Sequence, residues 1–219
     1  MEITPSFIFE GLSLVVLGIL PIANPLSTAP LFITLTSSMP DGQRQQIARR
    51  ASFYMAAILL MFFFAGAGIL QFFGITLAGL QVAGGLIISY TGFRMLYPEP
   101  VQRDQSVGQP SQSGDPALVP LAMPTLSGPG SISVVIGMTS RIEQNPELAT
   151  VFLTILAHIV VVIGILICAL VTWLVLRSAK KVMERVSIDQ MDAITKIFGF
   201  IIVCIGVEFI RNGVFAFVQ

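Results

Sequence analysis

Residues 21–30 read PIANPLSTAP and residues 120–129 read PLAMPTLSGP. Aligned without gaps they share P-[IL]-A-x-P-x-x-[ST]-[AG]-P, which pairs Pro21 with Pro120, Pro25 with Pro124 and Pro30 with Pro129. Proline has no amide hydrogen and clashes with the preceding helical turn, so each cluster must interrupt a helix. A second match follows each first one. GLIISYTGFR at 85–94 aligns with GFIIVCIGVE at 199–208, so that Gly85 meets Gly199, Ile87 and Ile88 meet Ile201 and Ile202, and Gly92 meets Gly206. Glycine spacing alone is common in apolar helices, but three prolines in register are not. The chain reads as an internal repeat.

The surroundings of both clusters are apolar. Of the 219 residues, 54% are hydrophobic and 11% charged, with a mean hydropathy of +0.85. Soluble domains carry about 25% charged residues, so this chain needs the bilayer as its solvent. A spanning helix takes about 20 apolar residues, and runs of that kind lie at roughly 7–37, 51–73, 76–97, 116–139, 148–176 and 192–217. The stretch 98–115, PEPVQRDQSVGQPSQSGD, is rich in Pro, Gln, Ser and Gly and cannot form a core, so it reads as a flexible polar linker. The expected organisation is a first three-helix repeat over 1–97, the linker over 98–115, and a second three-helix repeat over 116–219. The fold class is all-α integral membrane, with six transmembrane helices, of which helices 1 and 4 are broken at the proline clusters. An odd number of spans per repeat inverts one half relative to the other. The N-terminus has no basic residue before its apolar run, so the first segment is expected to be retained rather than cleaved. Cys168 and Cys204 sit inside apolar runs and read as buried small hydrophobes, with no disulfide or metal-ligand spacing.

Basic residues are placed asymmetrically. Arg44, Arg49, Arg50, Arg94, Arg103, Arg177, Lys180, Lys181, Arg185 and Lys196 fall on one side of a six-span topology, and only Arg141 and Arg211 on the other. By the positive-inside rule the first group is cytoplasmic and both termini are on the periplasmic or extracellular side. The formal net charge is zero, which gives no support for a nucleic-acid partner.

Carbonyls and amides freed at a helix break cannot face lipid, so they must face protein or a water-filled cavity. Pro30 and Pro129 suit the first turn of a new helix, where a missing amide hydrogen does no harm. The remaining amides of such a turn, at the positive end of the helix dipole, favour an anionic group such as a carboxylate. Beside them stand Asn24, Ser27 and Thr28 in the first cluster and Thr125, Ser127, Gly128 and Ser131 in the second. These are the candidate solute-binding residues. The competing reading is a pair of proline kinks satisfied by neighbouring helices. Glu208 in the sixth run and His158, the one histidine, are candidates to couple transport to a proton or sodium gradient. Glu208 could equally pair with Arg211 near the outer interface, and His158 could be a neutral hydrogen-bonded core residue. No metal site, bound cofactor or phosphate-binding loop is expected, and no enzymatic activity.

Four stretches carry a family resemblance: PIANPLSTAPLF, GLQVAGGLIISYTGFRMLYP, VPLAMPTLSGPGSI and GFIIVCIGVEFIRNG. Together they resemble the MarC family of bacterial inner-membrane proteins, across essentially the whole chain outside the linker. The resemblance implies six helices, residence in the cytoplasmic membrane and kinship with small transporters of neutral amino acids such as glycine and alanine. The expected function is a secondary transporter of a small neutral solute, working among membrane lipids and open to homo-oligomer formation. Two other readings stay open. One is a non-transporting membrane regulator or assembly partner. The other is a drug exporter, although the aromatic residues avoid both proline clusters.

Overall fold

The computed structural model describes residues 5–98, 115–144, 151–185 and 187–218; most of the linker, 99–114, lies outside the described residues. Among the described residues there is no strand. The helices are α1 (Pro5–Ala23), α2 (Pro25–Leu35), α3 (Asp41–Phe72), α4 (Leu77–Leu96), α5 (Pro129–Gln144), α6 (Val151–Arg185) and α7 (Ile188–Val218). Ahead of α5 runs a distorted segment, Ala117–Leu126, in which Val119 and Met123 are extended rather than helical. Each of them precedes a proline, whose ring disfavours the helical conformation at its neighbour, although Leu20 and Ala29 stay helical ahead of Pro21 and Pro30.

Helices α3, α6 and α7 are long and apolar enough to cross a membrane, and α1 with α2, bent by 42°, makes a fourth candidate if counted as one span. The expected runs 76–97 and 116–139 fall short of that standard for identifiable reasons. Helix α4 is diluted by Gln81, Ser89, Thr91 and four glycines. Helix α5 has 16 residues, which at 1.5 Å per residue is about 24 Å, against a hydrocarbon core of about 30 Å.

The two halves interlock. Helices α1 and α2 pack on α6 of the other half, while Ala117–Leu126 and α5 pack on α3. Between α3 and α6 sit Phe63 beside the His158 ring, at 5.5 Å, and Met55 beside Thr172, so these two helices run antiparallel. Fully buried Phe32, Met55, Leu59, Phe63, Leu126 and Ile165 fill the centre, whereas Phe64, Phe72, Leu166 and Phe200 are exposed, as lipid-facing side chains should be.

Helices α4 and α7 make the closest approach. A Cβ added at Gly85 would lie 2.6 Å from the Gly206 carbonyl oxygen, and one at Gly92 would lie 2.7 Å from the Gly199 oxygen. The repeat pairs Gly85 with Gly199 and Gly92 with Gly206. Gly85 and Gly92 therefore each touch the residue that the sequence match aligns with the other. Ile88 and Ile202, also paired by the repeat, lie between these contacts and are both 0% exposed.

These registers gather Arg44, Arg49, Arg50, Arg94, Lys196 and the four cations that close α6 at one end of the molecule. Arg177 lies over the Trp173 ring there, 5.1 Å from its centroid. Arg141 and Arg211 lie at the opposite end. The start of α1 is at that opposite end too, because Gly11 lies against Val160 and Gly18 against Val134 and Met138 of α5.

Candidate functional site

The first break is made by one residue. Asn24 has φ 35° and ψ 70°, the left-handed conformation, which among non-glycine residues asparagine tolerates best. Its Oδ1 accepts from the Ser27 amide at 3.2 Å and caps α2, and its Nδ2 donates to Met95 Sδ at 3.8 Å. Thr28 Oγ1 donates to the Asn24 carbonyl at 3.2 Å, and Ser27 Oγ lies 3.5 Å from Thr195 Oγ1 of α7. Pro25 is thus the first residue of α2, and Pro30 lies inside it. The expectation that Pro30 opens a helix is corrected here: the Asn24 cap starts the helix five residues earlier.

The second break behaves as expected. Pro129 opens α5. Thr125 Oγ1 donates to the Pro120 carbonyl at 2.7 Å, Ser127 Oγ to the Met55 carbonyl at 3.5 Å, and Ser131 Oγ to the Leu126 carbonyl at 3.5 Å. Asp115, at the start of this segment, accepts from Arg50 at 3.4 Å and Tyr54 at 3.3 Å and so ties the segment to the basic end of α3.

The two breaks meet. Gly130, beside the start of α5, lies against Ile22 of α1 and Ile88 of α4; a Cβ there would be 3.1 Å from Ile22 Cγ2. Ser127 lies beside Met55, whose sulfur lies beside Thr172. Asn24, Thr28, Ser127, Ser131 and Thr172 are all buried, with Ser127 at 0% exposure. Ser27, Thr125 and Gly128 are half-buried at the edges. The amides of Leu26, Gly130 and Ser131 occupy first-turn positions, where no intrahelical acceptor exists.

The two coupling candidates lie elsewhere. Glu208 forms an ion pair with Arg211, with its side chain 52% exposed. It therefore takes the paired, outer position rather than a buried one, beside a cavity between α1, α4, α5 and α7. His158 Nδ1 lies 2.8 Å from the Thr154 carbonyl of its own helix, beside a shallow groove with Phe64 and Ile159. Cys168 is buried but Cys204 is exposed, against expectation, because it faces that same cavity. Among the described residues no cluster of His, Cys, Asp or Glu could hold a metal ion. Sequence reasoning passed over Gln81 and Asn212, which line the cavity; an amide inside an otherwise apolar run was the available signal.

Residues 9–218 match the MarC family, described as integral membrane proteins. The chain belongs to the MarC family. It is 36% identical, over 216 residues and 95% of both chains, to inner membrane protein MarC of Escherichia coli K12, and equally similar to the proteins of that name from Escherichia coli O1:K1 and Shigella flexneri. No solved structure matches the chain. Both proline motifs fall inside the matched residues, as do the apolar runs apart from the first two residues of the first.

Proposed function

We propose that this MarC protein is a secondary transporter of a small neutral solute, a neutral amino acid being the class that fits best. The observation that carries the proposal is the meeting of two matched helix breaks, each packed on the long helix of the opposite half. Inverted repeats with broken helices facing each other are the architecture by which many transporters bind solute and alternate access. In this reading the chain crosses the membrane six times as two inverted repeats. The cluster of cations at one end is cytoplasmic, and both termini are periplasmic.

The roles follow from position. First-turn amides of α2 and α5 take the solute carboxylate, and Asn24, Ser27, Thr28, Thr125, Ser127, Gly128 and Ser131 surround it. The small side chains at both breaks suit a small solute better than a bulky drug. Glu208 and His158 are the ionisable groups available to couple a proton or sodium ion to the movement. Rocking about the α4–α7 glycine contact would expose the breaks to each side in turn.

One observation favours a non-transporting role: every polar side chain at the breaks is already bonded to protein. Thermal stability of the purified protein against glycine, alanine and serine separates the two. A solute that binds the folded state raises the melting temperature with concentration. The transporter reading expects a rise that disappears in the Asn24→Ala, Ser127→Ala double variant. No rise up to millimolar solute, with sodium and pH varied, would leave the non-transporting reading.

A further inference from the structure

The cavity beside Glu208 has a volume of about 490 Å³, within the ordinary range of small-molecule sites. It runs along α7 from Phe200 to Asn212, with its polar end away from the cation cluster, and none of the polar residues of the helix breaks lines it. Its wall is mostly apolar, formed by Met138 of α5 and by Phe200, Ile201 and Ile205 of α7. Phe200 is 62% exposed, so the wall opens sideways at the depth of lipid chains. Polar groups are confined to one end.

Three observations describe that end. Glu208 is neutralised by Arg211, which also donates to Asn212 Oδ1 at 3.2 Å. Arg141 lines the cavity and has no ion pair or hydrogen bond among the described residues, so with Glu208 paired to Arg211 it is the one charged group of the lining left unpaired. Gln81 also lines the cavity; it is 7% exposed, and its amide has no hydrogen-bond partner among the described residues. The amide opens into the cavity rather than being sealed in protein, so it is free to bond a ligand there.

The polar groups form two tiers. Gly130 lies against Ile88 and Ser133 against Gly84, so α5 runs antiparallel to α4. Extending that register places Arg141 about one helical turn farther from the middle of the molecule than Gln81. A cation outermost, an amide donor one turn deeper and an apolar channel beneath match, in order, a phosphate, an ester carbonyl and an acyl chain.

We propose that this groove seats an anionic phospholipid. Its phosphate pairs with Arg141, whose planar fork suits phosphate oxygens. Its ester carbonyl accepts from the Gln81 amide, and one acyl chain lies along Met138, Phe200 and Ile201. The site does not depend on the transport reading, since it requires only that this face meets the membrane.

The test uses the full-length protein, delipidated in dodecyl maltoside, with melting temperature and native mass spectrometry as readouts. The probes are dioleoyl phosphatidylglycerol, dioleoyl phosphatidylcholine and dodecanoate. Phosphatidylglycerol should stabilise the wild type saturably and more strongly than phosphatidylcholine. Arg141→Gln should weaken that preference by about tenfold, the loss of one charge-assisted hydrogen bond. Gln81→Leu should keep the lipid-free melting temperature or raise it, yet weaken both lipids several-fold, an outcome that a purely structural glutamine would not give. Equal stabilisation by the two lipids, or an Arg141→Gln variant with unchanged phosphatidylglycerol binding, would overturn the proposal. Tighter saturable binding of dodecanoate than of phosphatidylglycerol would also overturn it, and would assign the groove to a free amphiphilic anion. A wild-type dimer dispersed by Arg141→Gln would overturn it in favour of a second copy of the chain.

Discussion

The two proline clusters share a motif and differ in backbone. At the first, Asn24 turns left-handed and α2 begins at once with Pro25; at the second, Met123 is extended and the helix waits until Pro129. The difference lies in the residue before the middle proline. Asparagine tolerates the left-handed region, and its side-chain oxygen caps the amide three residues on. Methionine has no capping oxygen, and with a proline next it takes extended backbone, which the ring favours. Matched sequence therefore fixes that a helix breaks, while the residue at one position decides where it resumes.

Substitutions can break this comparison or sharpen it. The largest effect is expected where the halves touch rather than at either break. Gly206→Ala would drive a methyl group into the Ser89 side chain and to 2.7 Å from the Gly85 carbonyl oxygen. Overpacking against backbone costs about 1–3 kcal/mol or more, so the melting temperature should fall steeply. Gly92→Ala, its counterpart, should do the same, and a mild effect at only one of the two would break the reciprocity of the contact.

Next in size is Asn24→Ala, which loses the cap, about 1 kcal/mol, and must still hold a left-handed backbone, about 1 kcal/mol more. Asn24→Gly should cost only a few tenths of a kcal/mol, because glycine adopts that backbone freely. The matched change Met123→Ala should be milder than Asn24→Ala, since extended backbone suits any residue. Chemical denaturation in mixed micelles would rank the three. Equal losses for Asn24→Ala and Met123→Ala would show that the left-handed turn is not what sets the first break.

Smaller still is the proline contrast. Pro30→Ala restores a helical amide inside α2 and removes a ring clash, so it should stabilise by about 1 kcal/mol or more. Pro129→Ala, at the first position of α5, should be close to neutral. Ser127→Ala should also be mild, because its 3.5 Å bond to the Met55 carbonyl is long; about 0.5 kcal/mol is the scale for so weak a bond.

Much of this arrangement was legible in the residues. Proline chemistry located both breaks; the glycine match marked repetition in the chain, but that α4 and α7 touch through those glycines came only from the fold. The start of α2 was not legible, since it depends on a cap and a left-handed turn that compete locally with proline placement. Nor were the cavity and Gln81. An amide in an apolar run signals a polar function, but only the tertiary register of α5 and α7 tells what it faces. Arg211, three residues from Glu208 on the same helical face, offered a pair as one of two open readings, and the fold makes that pair.

The central claim is that the meeting breaks carry a solute across the membrane. Counterflow of radiolabelled alanine into proteoliposomes preloaded with unlabelled alanine tests it most directly. The account predicts saturable exchange in the wild type that is lost in the Asn24→Ala, Ser127→Ala variant and kept in Gln81→Leu. Absence of exchange for alanine, glycine and serine in folded wild-type protein, or full exchange in the double variant, would contradict it.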